Sequence, residues 1–132
     1  FIRAETGVFH FLETSARVGG AHIAELVEAA TGVNLWAEWA KIEIAAGRAP
    51  YVVPRLRHDY AGLIVSLARQ EWPDLSAFSD PEVVWRLKKR HHAGLIAASR
   101  SAARVTELLD RYREQFHGHF TAALPAASTA QE

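Results

Sequence analysis

Apolar residues at Ile23, Leu26, Val27 and Ala30 recur at helical spacing and predict a helix over 22–31, closed by Gly32 as its C-terminal cap. Asn34 then has the chemistry of an N-cap for a second helix, running to about Ala46 and ending at Gly47. Its Leu35, Trp39 and Ile42 form a stripe flanked by Trp36 and Ala46, which reads as core rather than as a ligand platform. Residues 48–54 hold two prolines and are the best candidate for a subdomain boundary. Beyond them, 60–68 and 92–98 are apolar runs of strand length, each predicting a buried strand. Between these runs, Asp80-Pro81-Glu82 carries helix-start signals and predicts a short helix over 81–89, although Val83-Val84-Trp85 would also suit a strand. The clearest helix is 101–116, with Val105, Leu108, Leu109, Tyr112 and Phe116 on one stripe, and the small polar residues 121–132 predict a frayed tail. Helical and strand patterns thus mix throughout, and no repeat is evident.

Candidate chemistry concentrates near the start. Val8-Phe9-His10-Phe11-Leu12 is rich in β-formers, and if the strand extends to Arg17, then Glu13, Ser15 and Arg17 project from one face. Same-face neighbours on a strand lie about 6.6 Å apart, so carboxylate, hydroxyl and guanidinium could converge on one Mg²⁺-polyphosphate group. Gly19-Gly20 follows and allows close backbone approach or positive φ ahead of the first helix. The plainer reading of the same residues is an edge strand with a glycine turn and three solvated side chains. His22, at a helix start, could face a bound carboxylate or phosphate, or serve only structure.

Composition narrows the classes. A chain of 132 residues with 49% hydrophobic content suits a packed domain. Lys plus Arg and Asp plus Glu number 15 each, so no global basic field recommends nucleic acid. No apolar run reaches the roughly 18 residues needed to span a bilayer, and a cytoplasmic address is the default expectation. With no cysteine there are no disulfides, thiolate zinc sites or cysteine nucleophiles. The chain starts at Phe1 and holds no methionine, so its start is taken as a cut. Of 7 histidines, the adjacent His91 and His92 would point to opposite strand faces, and His117 and His119 are not helical neighbours, so structural or surface roles are expected for these four. Arg86, Lys88, Lys89 and Arg90 suit a solvated helix-end face, and Arg55, Arg57 and His58 suit a surface loop or a carboxylate contact.

Residues 1–45 resemble the C-terminal part of the ATP-grasp superfamily. Phe1-Ile2-Arg3-Ala4, the turn Glu5-Thr6-Gly7 and the return strand from Val8 to Glu13 are similar to that family's hairpin, and Glu13-Thr14-Ser15-Ala16-Arg17 stands where the family has E-x-N-x-R. The segment from Gly19 to Leu35 looks like the stretch that follows in the amino-acid-ligase and biotin-carboxylase-like branches. Ser15 replaces the usual asparagine, so a second metal contact would come from a shorter hydroxyl or through a water. The order of elements over 60–116 also resembles the subdomain that packs beside the ATP-grasp core and often contributes to dimer contacts.

The resemblance implies an α+β fold: the C-terminal part of an ATP-grasp domain, a β-hairpin plus helices over 1–49, followed by a small strand-linker-strand-helix subdomain over 50–120 and a flexible tail over 121–132. It implies an ATP-dependent ligase that activates a carboxylate as an acyl phosphate for attack by an amine, using ATP with Mg²⁺ or Mn²⁺. Glu13 and Ser15 would hold the metal, Glu13 and Arg17 the nucleotide, and Arg17 would be catalytic. Gly19, Gly20 and His22 would touch substrate. The family's first metal-binding glutamate, nucleotide-binding lysines and glycine-rich loop would precede Phe1, so the remainder of the enzyme is the expected partner, with a homodimer as a further one and no nucleic acid or membrane. Two alternatives are a biotin-carboxylase-like enzyme activating bicarbonate and a catalytically inactive assembly module.

Overall fold

The computed structural model describes residues 2–11 and 17–121. It is an α+β arrangement with two antiparallel sheets and three helices. The short strands β1 (Ile2–Arg3) and β2 (Phe9–His10) pair with Ile2 opposite His10 and Arg3 opposite Phe9. Gly7, at φ 84°, closes their turn by donating to the Ala4 carbonyl, a backbone angle that glycine adopts without strain. The predicted hairpin is therefore present, with Val8 and Phe9 exposed.

Two helices follow. In α1 (Ile23–Thr31) the left-handed Gly32 caps the C-terminus by donating to Glu28 O. In α2 (Leu35–Ala45) the Asn34 side chain caps the N-terminus, accepting from Ala37 N at 2.9 Å, while its Nδ2 donates to Glu28 Oε2 at 2.9 Å and ties the helices together. Ala46 and Gly47 turn the chain out of α2, and the Arg48 guanidinium donates to the Ile44 carbonyl at 2.7 Å. No residue of α2 is buried. The stripe of Leu35, Trp39 and Ile42, expected to be core, instead lines an open cleft, with Leu35 half-buried and Trp39 and Ile42 exposed.

The second sheet has the order β3-β5-β4, built from β3 (Tyr60–Leu67), β4 (Val83–Arg86) and β5 (His92–Ser99). Leu95, Ile96 and Ala97 of the central strand are fully shielded. The short helix expected over 81–89 is not formed. Asp80 has its carboxylate committed elsewhere, and Val83, Val84 and Trp85 take the strand alternative, with Val83 opposite Ala97 and Trp85 opposite Ile96 across a bulge. Arg86, Lys88, Lys89 and Arg90 consequently lie on β4 and its turn into β5 rather than on a helix end, and His91, at φ 55°, belongs to that turn and not to a strand.

The helix α3 (Ala102–His119), N-capped by the Ser101 side chain, packs on β3 and β5. Alternation on β5 puts Ala93, Leu95 and Ala97 towards α3, where they meet Leu108, Tyr112 and Phe116. Phe78 is the centre of the aromatic cluster, with its ring 5.1 Å from Tyr112 and 5.0 Å from Phe116, both edge-on. The opposite face carries Ile96 and Trp85 and is covered by α1, so three layers form with the sheet in the middle. Arg57 joins this arrangement from the connector: its guanidinium donates to Glu28 O and Ala29 O at the C-terminus of α1, and Arg57 N donates to Thr31 O. Arg57 Nε also lies 3.7 Å from Asp59 Oδ2, so the guanidinium has a structural role here. The tail 122–132 lies outside the described residues. Among the described residues no helix is long and apolar enough to cross a membrane.

Asp80 fastens the entry of β4 to α3. Its carboxylate accepts from the Tyr112 hydroxyl and from the guanidinium groups of Arg111 and Arg104, while Glu82 Oε1 takes Arg104 Nε at 2.9 Å. The Tyr112 and Arg111 bonds hold the Asp80 carboxyl below the usual aspartate range, against the opposing effect of burial. A pKa lower in the folded chain means stabilisation that is present above about pH 4 and lost as pH falls through the folded value. Asp80→Asn is therefore expected to flatten the acid limb of a urea-unfolding stability curve below about pH 4. A limb as steep as that of the parent chain would remove Asp80 from this role.

Candidate functional site

The predicted site residues divide into two groups. Glu13 and Ser15 lie outside the described residues, as does the strand expected to carry them to Arg17. Arg17, Gly19, Gly20 and His22 form the approach to α1. Arg17 is exposed, and among the described residues its Nη1 donates to the neighbouring Val18 carbonyl, at 3.3 Å.

Of the two roles expected of the glycine pair, Gly19 takes close approach and neither glycine takes positive φ. The left-handed angles fall on Ala21 (φ 51°) and His22 (φ 67°). A Cβ at Gly19 would stand 3.0 Å from Ile23 Cγ2, so this glycine lets the loop lie against the first residue of α1. A Cβ at Gly20 would stand 3.8 Å from Arg17 Nη1, an ordinary contact beside the guanidinium. Two successive non-glycine residues in the left-handed region cost about 1–2 kcal/mol each. The turn is held by Ile23 N donating to Gly20 O at 3.1 Å and by Leu26 N donating to His22 O at 3.0 Å.

His22 supplies the remaining restraint. Its ring packs 4.8 Å from Trp85 and its Nδ1 lies 3.4 Å from Glu25 Oε1. It thus turns towards β4, and it does not line the cleft beside Arg17. In this geometry His22 pins the loop to the sheet.

That cleft has a volume of about 350 Å³ and is lined by Arg17 and Val18 on one side, by Leu35, Glu38, Trp39 and Ile42 of α2, and by Tyr51 of the connector. The four α2 positions follow i, i+3, i+4, i+7 spacing and so share one face of the helix. Glu38 is the polar centre. Its side chain is 13% exposed, its Oε2 accepts from the Tyr51 hydroxyl at 2.8 Å, and its Oε1 accepts from Lys41 Nζ at 2.6 Å. Those bonds, Lys41 first, lower the Glu38 carboxyl from its ordinary value and keep it ionised, and the same Glu38 contact raises the Tyr51 hydroxyl. A neighbouring cleft of about 380 Å³ shares Glu38, Ile42 and Tyr51 and adds Lys41.

Sequence reasoning named Arg17 but missed Glu38 and Tyr51. The signal that could have found Glu38 is an acid set among Leu35, Trp39 and Ile42 on a stripe read as apolar. Tyr51 has no such signal, because only the path of the connector brings it over α2.

Among the described residues no three histidine or acidic side chains stand close enough to hold a metal ion. The fit to a metal-phosphate group therefore rests on Arg17, whose exposed, lightly engaged guanidinium has the donor chemistry an anionic phosphate requires. The fold and this cleft define a small three-layer α+β domain with an amphipathic, charge-bearing site beside α2. Comparison with protein-family models, with the curated proteins and with the solved structures finds no match.

Proposed function

We propose that this chain is the C-terminal segment of an ATP-dependent ligase of the ATP-grasp type, which activates a carboxylate as an acyl phosphate for attack by an amine. The observation that carries the reading is Arg17: it ends the Glu13-x-Ser15-x-Arg17 motif and lines a cleft with an exposed guanidinium that, among the described residues, bonds its neighbour's carbonyl. The β1–β2 hairpin leading into the motif supports the same reading.

In this reading Glu13 and Ser15 hold Mg²⁺, which with ATP supplies the transferable phosphoryl group and neutralises its charge. Arg17 binds the phosphate or acyl phosphate by charge-assisted hydrogen bonds, acting where negative charge accumulates. His22 positions this loop through Trp85 and Glu25.

The test is Mg²⁺-dependent ADP release by the full-length protein that contains this chain, measured with a panel of carboxylates and amines. Release that requires both a carboxylate and an amine is the expected result. Release with bicarbonate alone would point to carboxylase chemistry, and no release with any of them would leave an assembly module and end the ligase reading.

A further inference from the structure

We infer that the cleft beside α2 is a binding site for a primary amine carrying an aromatic or branched apolar body, with Glu38 as the seat of its ammonium group. The walls contributed by Val18, Leu35, Trp39 and Ile42 are apolar, and Trp39 and Ile42 stay substantially exposed, as does Tyr51. At about 350 Å³ the space falls in the range of small-molecule sites. An uncharged ligand would satisfy those walls but make no charge contact with the Glu38 carboxylate, which is 13% exposed and bonded to Lys41 and Tyr51.

The structure already contains an ammonium in that seat. Lys41 reaches Glu38 Oε1 from the neighbouring cleft at 2.6 Å, while its own side chain remains 66% exposed. An exposed lysine pair of this kind contributes little and exchanges readily with solvent, so a ligand that adds apolar contact to the same charge contact displaces it. Tyr51 fixes Oε2 by its hydroxyl and leaves Oε1 as the side of the carboxylate open to a cation. Arg17 lines the side of the cleft away from α2 and repels a cation from its own end, which orients the amine towards Glu38.

The identification of this ligand as the ligase's amine acceptor rests on the proposed function, whereas binding itself does not. The experiment is therefore a titration of the 132-residue chain without nucleotide, following the Trp39 indole N–H signal by NMR. 2-Phenylethylamine is expected to give saturable shifts, with 2-phenylethanol and 3-phenylpropionate binding about tenfold more weakly or worse, as the loss of one charge-assisted contact implies. Glu38→Gln is expected to weaken the amine to a similar degree, and Lys41→Ala to strengthen it several-fold by removing the internal competitor. The α2 helix has no buried residue, so neither change disturbs the core. Equal binding of the alcohol, indifference to Glu38→Gln, a Lys41→Ala chain that binds no tighter, or no saturable shift at all would each overturn the site. If ADP release proves absent while these shifts are present, the ligase reading has failed and the amine site stands; amine-dependent release unaffected by Glu38→Gln is the reverse case.

Discussion

Arg17→Ala is expected, under the proposed ligase function, to lower Mg²⁺-dependent ADP release by the protein that contains this chain by about a hundredfold to a thousandfold, with its folding unchanged. The expectation for turnover follows from the role: removing one preorganised donor at a developing charge costs that much in characterised enzymes. The expectation for folding follows from the structure, where the Arg17 side chain is exposed and, among the described residues, donates to the adjacent Val18 carbonyl. Glu13→Gln, which removes the negative charge of the implied metal ligand, is expected to act as strongly. Circular dichroism and thermal unfolding of each variant separate loss of chemistry from loss of fold. ATP turnover at the parent rate in either variant would sink the assignment of that residue.

What could be read from the sequence follows the range of the interactions involved. The ends of α1, α2 and α3 were legible because Gly32, Asn34 and Ser101 act within a few residues of themselves. The strands β3 and β5 were legible as apolar runs. The short β4 was read mainly as helix because Asp80-Pro81-Glu82 imitates a helix start, and the deciding contacts lie far off in sequence: Asp80 with Arg104, Arg111 and Tyr112, and Val83 and Trp85 with β5.

The same limit applies to the site. The stripe on α2 was visible, but whether another element covers an apolar stripe is a tertiary fact, and here an open cleft faces it. The glycine pair was visible too, yet Gly19 is small because Ile23 lies against it, and the unusual φ angles sit one step further on, at Ala21 and His22. That His22 packs beside Trp85 could not be read from the sequence, because the two lie far apart in the chain. Glu38 and Tyr51 meet across 13 residues through a connector with no regular secondary structure, which no local pattern encodes.

Gly62→Val is expected to destabilise the fold by about 3 kcal/mol, although valine is the better strand residue. Gly62 lies on β3 opposite Ala97 and faces α3. Its φ is unexceptional, so the requirement for glycine is steric and not conformational. A Cβ placed there would stand 2.3 Å from Leu109 Cδ1 and 2.9 Å from Val105 Cγ1. Leu109 can swing its terminal methyl aside, but Val105 is 5% exposed, stiff at χ1 and one turn earlier on the same helix face. The helix must then lift from the sheet, which would loosen the packing of Leu108, Tyr112 and Phe116 against β5. A loss of this size corresponds to a drop in Tm of roughly 10 °C for a domain of this length. Combining Gly62→Ala with Leu109→Ala separates the contact from any general weakening, because relief of the clash makes the double variant more stable than the sum of the two single losses predicts. Strict additivity, or a Gly62→Val chain as stable as the parent, would mean that α3 does not sit on β3 at this distance.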